Sequence, residues 1–470
     1  MLHFRKITIV TFTLLLLILA GCATYYQKNE AFFTNLYGYN FVEAKKALES
    51  NSKKGNKPRN ALLHNLNLGY INWVLGDPTS SNQYFENADK IIEDQQKNYG
   101  LEALAMITNP TVKPYRPEDF EPVFVNYYKA LNYLQNSQYD EALVECKRIN
   151  IQLNKLNDKY KDKKNRYQRD AFAHLMMGLI YEAKKDYNNA FIAYRNAFEV
   201  YETDYKKNFG VEIPLQLKKD IINTAHKSGF FEDQRMYEDK FNIKYANESA
   251  DDGELVFLWH NGFGPYKAEW SINFYRGGVN KDGWIVFANS ELGLSFPFYI
   301  GDKSDNEKNA WWQTNLVRIA FPKYEDRLPY YTSAQISVGN SKYDLELTED
   351  ISQIAFKTLN DRMAREIGLA IARFISKKVI ESSAKSANEG LGAAVNLVNA
   401  LSEKADTRNW QTLPHSIFYT KVKLSEGEHD IQLNCKGNNN LKTNNFKVNI
   451  QKNRMQFVAF HSIEYIPAQM

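Results

Sequence analysis

Histidines, cysteines, paired carboxylates and tryptophans are the residues of this chain that could do chemistry, and their spacing decides between the options. The eight histidines are His3, His64, His174, His226, His260, His415, His429 and His461. None stands four residues from another and none neighbours a cysteine, so no local pair has metal-ligand spacing. No Gly-x-Ser-x-Gly turn presents a serine nucleophile. Gly262-Phe263-Gly264-Pro265 lacks the Lys and Ser/Thr of a phosphate loop. Adjacent acidic residues, as in Glu93-Asp94, Asp251-Asp252, Glu325-Asp326 and Glu349-Asp350, diverge on a helix or strand, which suits solvation better than shared acid–base work. Trp311-Trp312 follows the polar stretch 301–309 and offers an aromatic surface, although a core position suits the pair as well. One cysteine is placed for chemistry. Cys22 ends Leu19-Ala20-Gly21-Cys22, where small residues open the backbone to a peptidase and the thiol can take an acyl group.

The residues before Cys22 agree with that reading. Arg5 and Lys6 form a basic start, and Ile7 to Ala20 run without a charge, apolar apart from Thr8, Thr11 and Thr13. Such a run is short for a membrane span of ~20 residues and fits the apolar region of a signal peptide. The segment resembles the leader and lipobox of bacterial lipoproteins. That resemblance implies a signal peptide over 1–21, a mature N-terminus at a diacylglyceryl-modified Cys22, and a lipidated tether over 22–29. Two or three acyl chains, at ~0.8 kcal/mol per buried methylene, make a stable anchor where one chain is marginal. Ala23, rather than Asp, follows Cys22, and by resemblance to enterobacterial sorting this implies the outer membrane. The remaining cysteines, Cys146 and Cys435, fall in regions assigned to different domains, so no disulfide framework is expected and Cys146 reads as a core thiol.

A length of 470 residues suggests roughly three units at about 150 residues each. Hydrophobic residues at 44% and charged residues at 24% exclude disorder, a collagen, a polytopic membrane protein and a disulfide-stapled miniprotein. A net charge of +4 is too weak for nucleic acid to be the main partner. An aromatic content of 14% leans towards β-sheet and binding surfaces.

The elements follow from periodicity. In residues 171–200, Gly178, Tyr181, Ala190, Tyr194 and Ala197 alternate small and large at helical spacing around the polar turn Asp186-Tyr187-Asn188. Small residues at Gly178 and Ala190 let two antiparallel helices approach closely. The same spacing recurs in Leu68-Gly69 with Phe85 and Ala88, around Gly76-Asp77-Pro78, and in Ala130, Tyr133, Ala142 and Cys146, around Asn136-Ser137-Gln138. A weaker half-repeat runs through Phe41, Ala44 and Leu48. These residues resemble tetratricopeptide (TPR) repeats over 30–245, which implies an α-solenoid that binds extended peptides in a concave groove and folds on its own. Thr108–Pro122 carries four prolines and reads as a loop, and Lys155–Arg169 as a solvated, charged helix face.

Polar Ala246–Gly253 breaks this pattern, and alternation with Gly/Asn turns predicts strands at Leu255–His260, Trp270–Tyr275, Trp284–Phe287, Val317–Phe321, Ala334–Val338, Lys342–Leu347, Ser416–Lys423, His429–Cys435, Phe446–Ile450 and Gln456–Tyr465. A helical insertion at about 350–404 separates the two strand groups. Its charges, among them Arg365, Arg373 and Lys377, exclude a membrane span, and Gly390-x-Gly392 lacks the preceding strand of a nucleotide fingerprint. The fold class is therefore α + β multidomain: an N-terminal TPR-like α-solenoid, then an antiparallel β-rich domain over 254–470. Asn261-Gly262, Ile319–Tyr324 and above all Asp406-Thr407-Arg408-Asn409-Trp410-Gln411-Thr412-Leu413-Pro414 resemble a family of TPR-containing bacterial lipoproteins without established activity, so the resemblance supplies no catalytic residues.

Asp406–Pro414 has two readings: a latch in which Trp410 and Leu413 cap the β core, or an exposed anchor in which Arg408 and Trp410 hold a partner. The partner-binding candidates are Trp311, Trp312, Arg408 and Trp410, and the lipidation site is Cys22. The expected function is a membrane-anchored, periplasm-facing, non-enzymatic scaffold or accessory subunit of a cell-envelope assembly or secretion complex, with protein partners, no cofactor, no metal and no nucleic acid. The alternative is an envelope glycan-acting enzyme built from scattered carboxylates and Trp311-Trp312.

Overall fold

The helix pairs form where a small residue faces a large one. A Cβ added at Gly178 would lie 2.3 Å from the Tyr194 ring, and one at Gly69 would lie 2.7 Å from the Phe85 ring. Only glycine lets those helices come so close. Ala130 and Cys146 hold the same positions in the intervening pair, where a smaller thiol replaces the ring and both residues are buried. The computed structural model describes residues 24–97, 113–159, 165–246, 252–277, 283–387, 404–438 and 440–466. Its TPR-like pairs comprise α1 (Glu30–Tyr37) and α2 (Phe41–Ser50), α3 (Ala61–Val74) and α4 (Pro78–Lys97), α5 (Glu121–Gln135) and α6 (Tyr139–Lys159), α7 (Ala171–Ala183) and α8 (Tyr187–Val200), then α9 (Leu215–Lys227) and α10 (Phe231–Phe241). Side chains mark the starts: Asp170 accepts from Ala173 N at 2.7 Å ahead of α7, and Asp186 from Asn189 N at 3.2 Å ahead of α8. Gly178→Ala is expected to overpack against Tyr194 and cost about 1–3 kcal/mol, read from urea unfolding of the whole chain.

Among the described residues the strands form three four-stranded sheets. The first runs β12 (Met455–Ser462), β1 (Gly253–Phe263), β9 (Pro414–Leu424), β8 (Glu346–Asp350). The second runs β11 (Leu441–Ile450), β10 (Gly427–Gly437), β6 (Tyr331–Val338), β7 (Ser341–Asp344). The third runs β4 (Leu294–Tyr299), β3 (Trp284–Asn289), β2 (Tyr266–Arg276), β5 (Leu316–Glu325). It packs beside α11 (Asp305–Gln313) and α12 (Ile351–Ala387).

Strand β1 shows how the layers join. Its side chains alternate between two faces. Val256 and Leu258 enter the core shared with the helices, while Leu255, Phe257 and Trp259 enter a second core with Ile336, Ile431, Leu433 and Cys435. The strand is buried on both faces and reads as nearly continuous apolar residues. Helices α3, α5 and α7 are correspondingly buried around most of their circumference, whereas α4, α6 and α8 keep a polar outer side. The order of layers is outer helices, inner helices, first sheet, second sheet.

Several expectations need correction. The β part is not wholly antiparallel: β1 and β12 pair in parallel, Glu254 opposite Met455 through Asn261 opposite Ser462. The strand expected at Lys342–Leu347 is two strands, broken at Leu345, that belong to different sheets. The polar stretch 301–309 turns into α11 from Asp305 onward, where Ser304 and Glu307 form a capping box, and β4 is an additional strand. The tether over 22–29 is too long, because Thr24 caps a helical turn at Tyr25–Lys28 and Tyr25 is buried, its hydroxyl accepting from Asn67 at 3.0 Å. The charged stretch 155–169 is not simply solvated at its end: Asn165 and Tyr167 are buried. The helical half does not stand apart, because one continuous core runs from Phe32 to the strands. The signal peptide, Cys22 and the Gly390–Gly392 segment lie outside the described residues. Among the described residues no helix is long and apolar enough to cross a membrane, and no group of three His, Cys, Asp or Glu is placed to hold a metal.

Candidate functional site

The inner helices present tyrosines and acids towards the sheets, and strands of the first and third sheets pair with several of them. Tyr127 Oη on α5 lies 2.7 Å from His260 Nε2 on β1. Tyr70 Oη on α3 lies 2.8 Å from His461 Nδ1 on β12, while His461 Nε2 lies 2.7 Å from the Gly262 carbonyl. A carbonyl only accepts, so Nε2 carries the proton and Nδ1 accepts from Tyr70. On β9, Lys421 Nζ reaches Glu182 of α7 at 2.8 Å and Asp220 of α9 at 2.7 Å. From β8, the Glu346 carboxylate accepts from the Leu215 and Gln216 amides at 2.7 and 2.9 Å, at the start of α9. Glu118, ahead of α5, takes Lys267 of β2 at 2.5 Å and also pairs with Arg362 of α12.

Burial sets the charge states. It pulls the Lys421 ammonium down, but Asp220 and Glu182 outweigh it and hold its pKa well above the ordinary value. Burial pushes Asp220 up; for Glu182 the same penalty is overcome by Lys421 and Lys227, and its pKa falls. Burial lowers His461 to about 4 and His260 well below its usual value. Both imidazoles are therefore neutral in the folded seam. As pH falls from 6.5 towards 4, the unfolded chain takes up a proton that folded His461 refuses, so this contribution is present above pH 6.5 and lost on acidification. The stability difference between the native chain and His461→Asn is expected to shrink by about 3 kcal/mol between pH 7 and pH 4, measured by urea unfolding at each pH.

Asp406–Pro414 closes the seam as a latch. Trp410 is 1% exposed and Arg408 5%. The Trp410 ring packs against the stacked pair Phe85 and Tyr128, each 5.8 Å away between centroids. Its amide donates to Glu121 at 2.6 Å and its indole N–H to Thr412 at 2.7 Å. Arg408 pairs with Asp406 at 2.6 Å and donates to the Arg59 and Lys113 carbonyls at 2.7 and 3.1 Å. Asn409 holds Tyr26 and Pro265. No face of Trp410 or Arg408 is left for a partner, which corrects their reading as anchors. Burial also corrects Trp311, 5% exposed, whose ring lies 5.0 Å from Phe298 and 6.2 Å from Phe287.

Of the four candidates only Trp312, 42% exposed, faces outward. The third sheet carries a separate exposed aromatic set that sequence reasoning missed. Tyr275 on β2 lies opposite Leu316 on β5 and Ala288 on β3, and Trp284 on β3 lies opposite Tyr299 on β4. The register puts Tyr275, Trp284, Tyr299 and Leu316 on one face of the third sheet, and all four are exposed. The Trp284 and Tyr299 rings are 5.3 Å apart. Arg276, at the end of β2, alternates to the other side of the sheet, where it donates to the Trp312 carbonyl and lies 6.0 Å from its ring. The missed signal was the strand alternation of β4, Leu-Ser-Phe-Pro-Phe-Tyr, which places Tyr299 outward.

No family model matches the chain, and no curated protein matches it. Solved structures similar to parts of it include MamA, at 14% identity and a TM-score of 0.28 over 44% of this chain and 90% of that one. BtubC (BKLC) from P. vanneervenii is similar at 12% identity and a TM-score of 0.32, over 47% of this chain and 83% of that one. The repeat assignment here rests on the glycine–aromatic packing of the helix pairs.

Proposed function

We propose that the chain is a lipoprotein anchored through Cys22 at the periplasmic face of the bacterial outer membrane, where it acts as a non-enzymatic scaffold or accessory subunit of a cell-envelope assembly. The observation that carries this reading is the exposed aromatic face of the third sheet: Tyr275, Trp284, Tyr299 and Leu316. Tyr, Trp and Arg are the residue types that dominate binding energy at protein interfaces. The TPR groove does not serve the partner in this reading, because the chain's own first sheet fills it. Thr24 already belongs to the fold, so at ~3.3–3.6 Å per residue an acylated Cys22 would hold the body directly against the bilayer. The test is cross-linking in native membranes followed by mass spectrometry, with Trp284→Ala/Tyr299→Ala as the variant. A stoichiometric partner lost in the variant, with melting unchanged, supports the proposal. A protein that purifies alone, or a variant that keeps its partner, overturns it. Cys22→Ser is expected to block processing and release the protein; a lipid-labelled, membrane-bound product in that variant would remove the anchor.

A further inference from the structure

Every sheet edge offers backbone groups for another strand, and proteins normally blunt such edges with proline, charge, shortness or bulges. Among the described residues, five of the six edges follow that rule. Pro297 lies in β4 and Pro322 in β5; β11 carries Lys442 and Lys447; β7 is four residues long with Lys342; β8 is five residues long and shifts register between Leu347 and Glu349. Strand β12 does not. Its sequence, Met-Gln-Phe-Val-Ala-Phe-His-Ser, has neither proline nor lysine nor acid, and His461 is held neutral by burial.

The pairing identifies which of its backbone groups are free. In a parallel ladder, alternate residues bond the neighbouring strand. Glu254 N donates to the Arg454 carbonyl at 2.9 Å, so the even-numbered residues of β12 face β1 and Met455, Phe457 and Ala459 face outward. Tyr139 Oη confirms the phase by donating to the outward Met455 carbonyl at 3.2 Å. Among the described residues nothing bonds the outward N–H and C=O groups of Phe457 and Ala459. They line a groove of about 580 Å³. One wall is apolar, with Trp73, Val74 and Leu131 from the helices; the other is polar, with Lys442 and Asn444 from β11. Among the described residues, Asn444 Nδ2 is buried there without an acceptor.

We infer that the outer edge of β12 is a strand-addition site that takes an extended segment of a partner protein, with apolar side chains alternating with polar ones. An extended backbone alone offers a ladder of donors and acceptors at the spacing of Phe457 and Ala459. Successive side chains of an added strand point to opposite faces, so one set meets Trp73 and Leu131 and the other meets Lys442 and Asn444. The inference deepens the scaffold reading by giving it a second partner surface of defined chemistry.

The probe is a synthetic eight-residue peptide of alternating valine and threonine, added to the full chain while amide hydrogen exchange is followed. Exchange at Phe457 and Ala459 is expected to slow at least tenfold. Ala459→Pro, which removes an outward N–H and no bond to β1, should weaken binding at least tenfold. As a control independent of protein folding, N-methylation at alternate amides of the peptide should abolish binding in one phase and spare it in the other. No slowing at millimolar peptide, or equal binding of both methylated forms, overturns the site. Concentration-dependent dimerisation without peptide that Ala459→Pro removes would overturn the choice of occupant in favour of a second copy. If the peptide fails while the membrane cross-link persists, only the strand site falls; if the cross-link is absent while the peptide binds, the envelope-scaffold reading falls and the site stands.

Discussion

Lys421→Met is expected to lower folding stability by about 3–5 kcal/mol, because it strips buried Asp220 of its cation and leaves buried Glu182 with Lys227 at 3.4 Å. Glu182 and Asp220 come from different helices, and Lys421 from a strand far along the chain, so the loss falls on the joint between helices and sheet. Glu182 keeps Tyr194 Oη at 2.8 Å and Lys227 at 3.4 Å, whereas Asp220 keeps only Gln216 among the side chains that bond it. Adding Asp220→Asn to Lys421→Met should therefore recover part of the loss, since a neutral amide needs no counter-ion. Urea unfolding of the single and double variants checks both statements. A single variant within about 0.5 kcal/mol of the native chain, the range typical of surface substitutions, would show that the pair does not bind the halves together.

Trp410→Ala is expected to cost about 3–5 kcal/mol, as other large-to-small changes in cores do. The loss has two parts. The lost ring leaves a space against the stacked Phe85 and Tyr128, and Thr412 Oγ1 loses the indole donor while keeping its contact with Asn67 at 3.2 Å. The Trp410 amide still donates to Glu121, so the backbone of the latch remains tied. Trp410→Phe should recover most of the packing but not the hydrogen bond. Thermal unfolding of the pair of variants separates the two parts. An unchanged melting temperature in Trp410→Ala would mean that the latch does not support the core.

Local packing was legible in the sequence where a contact is made within one pair of helices. Gly178 with Tyr194 and Gly69 with Phe85 are such contacts, and their spacing alone fixed the register of the repeats. Most strands were legible from alternation for the same reason. What the sequence hid is long-range. Nothing near Met455 says that β12 pairs in parallel with β1, two hundred residues earlier. Nothing near Trp410 says that Phe85 and Tyr128 will enclose it, so the latch and anchor readings could not be separated before burial was known. His260 and His461 read as isolated histidines, because their tyrosine partners are on the helices. The start of α11 was legible and was missed: Ser304-x-x-Glu307 is a capping box, overlooked because the residues around it are polar. Trp311 and Trp312, adjacent in sequence, diverge on that helix, one into the core and one into solvent.

The central claim is that the helices and sheets form one cooperative unit whose groove is filled from within, leaving outer surfaces to meet partners. Native-state hydrogen exchange of the whole chain in increasing denaturant tests it most directly. If the claim holds, slow amides in α3, α5 and α7 open together with those in β1 and β9, at a common free energy and denaturant slope. Helical amides that stay protected after β1 and β9 have opened would contradict it, and would restore a helical array that stands alone with its groove available.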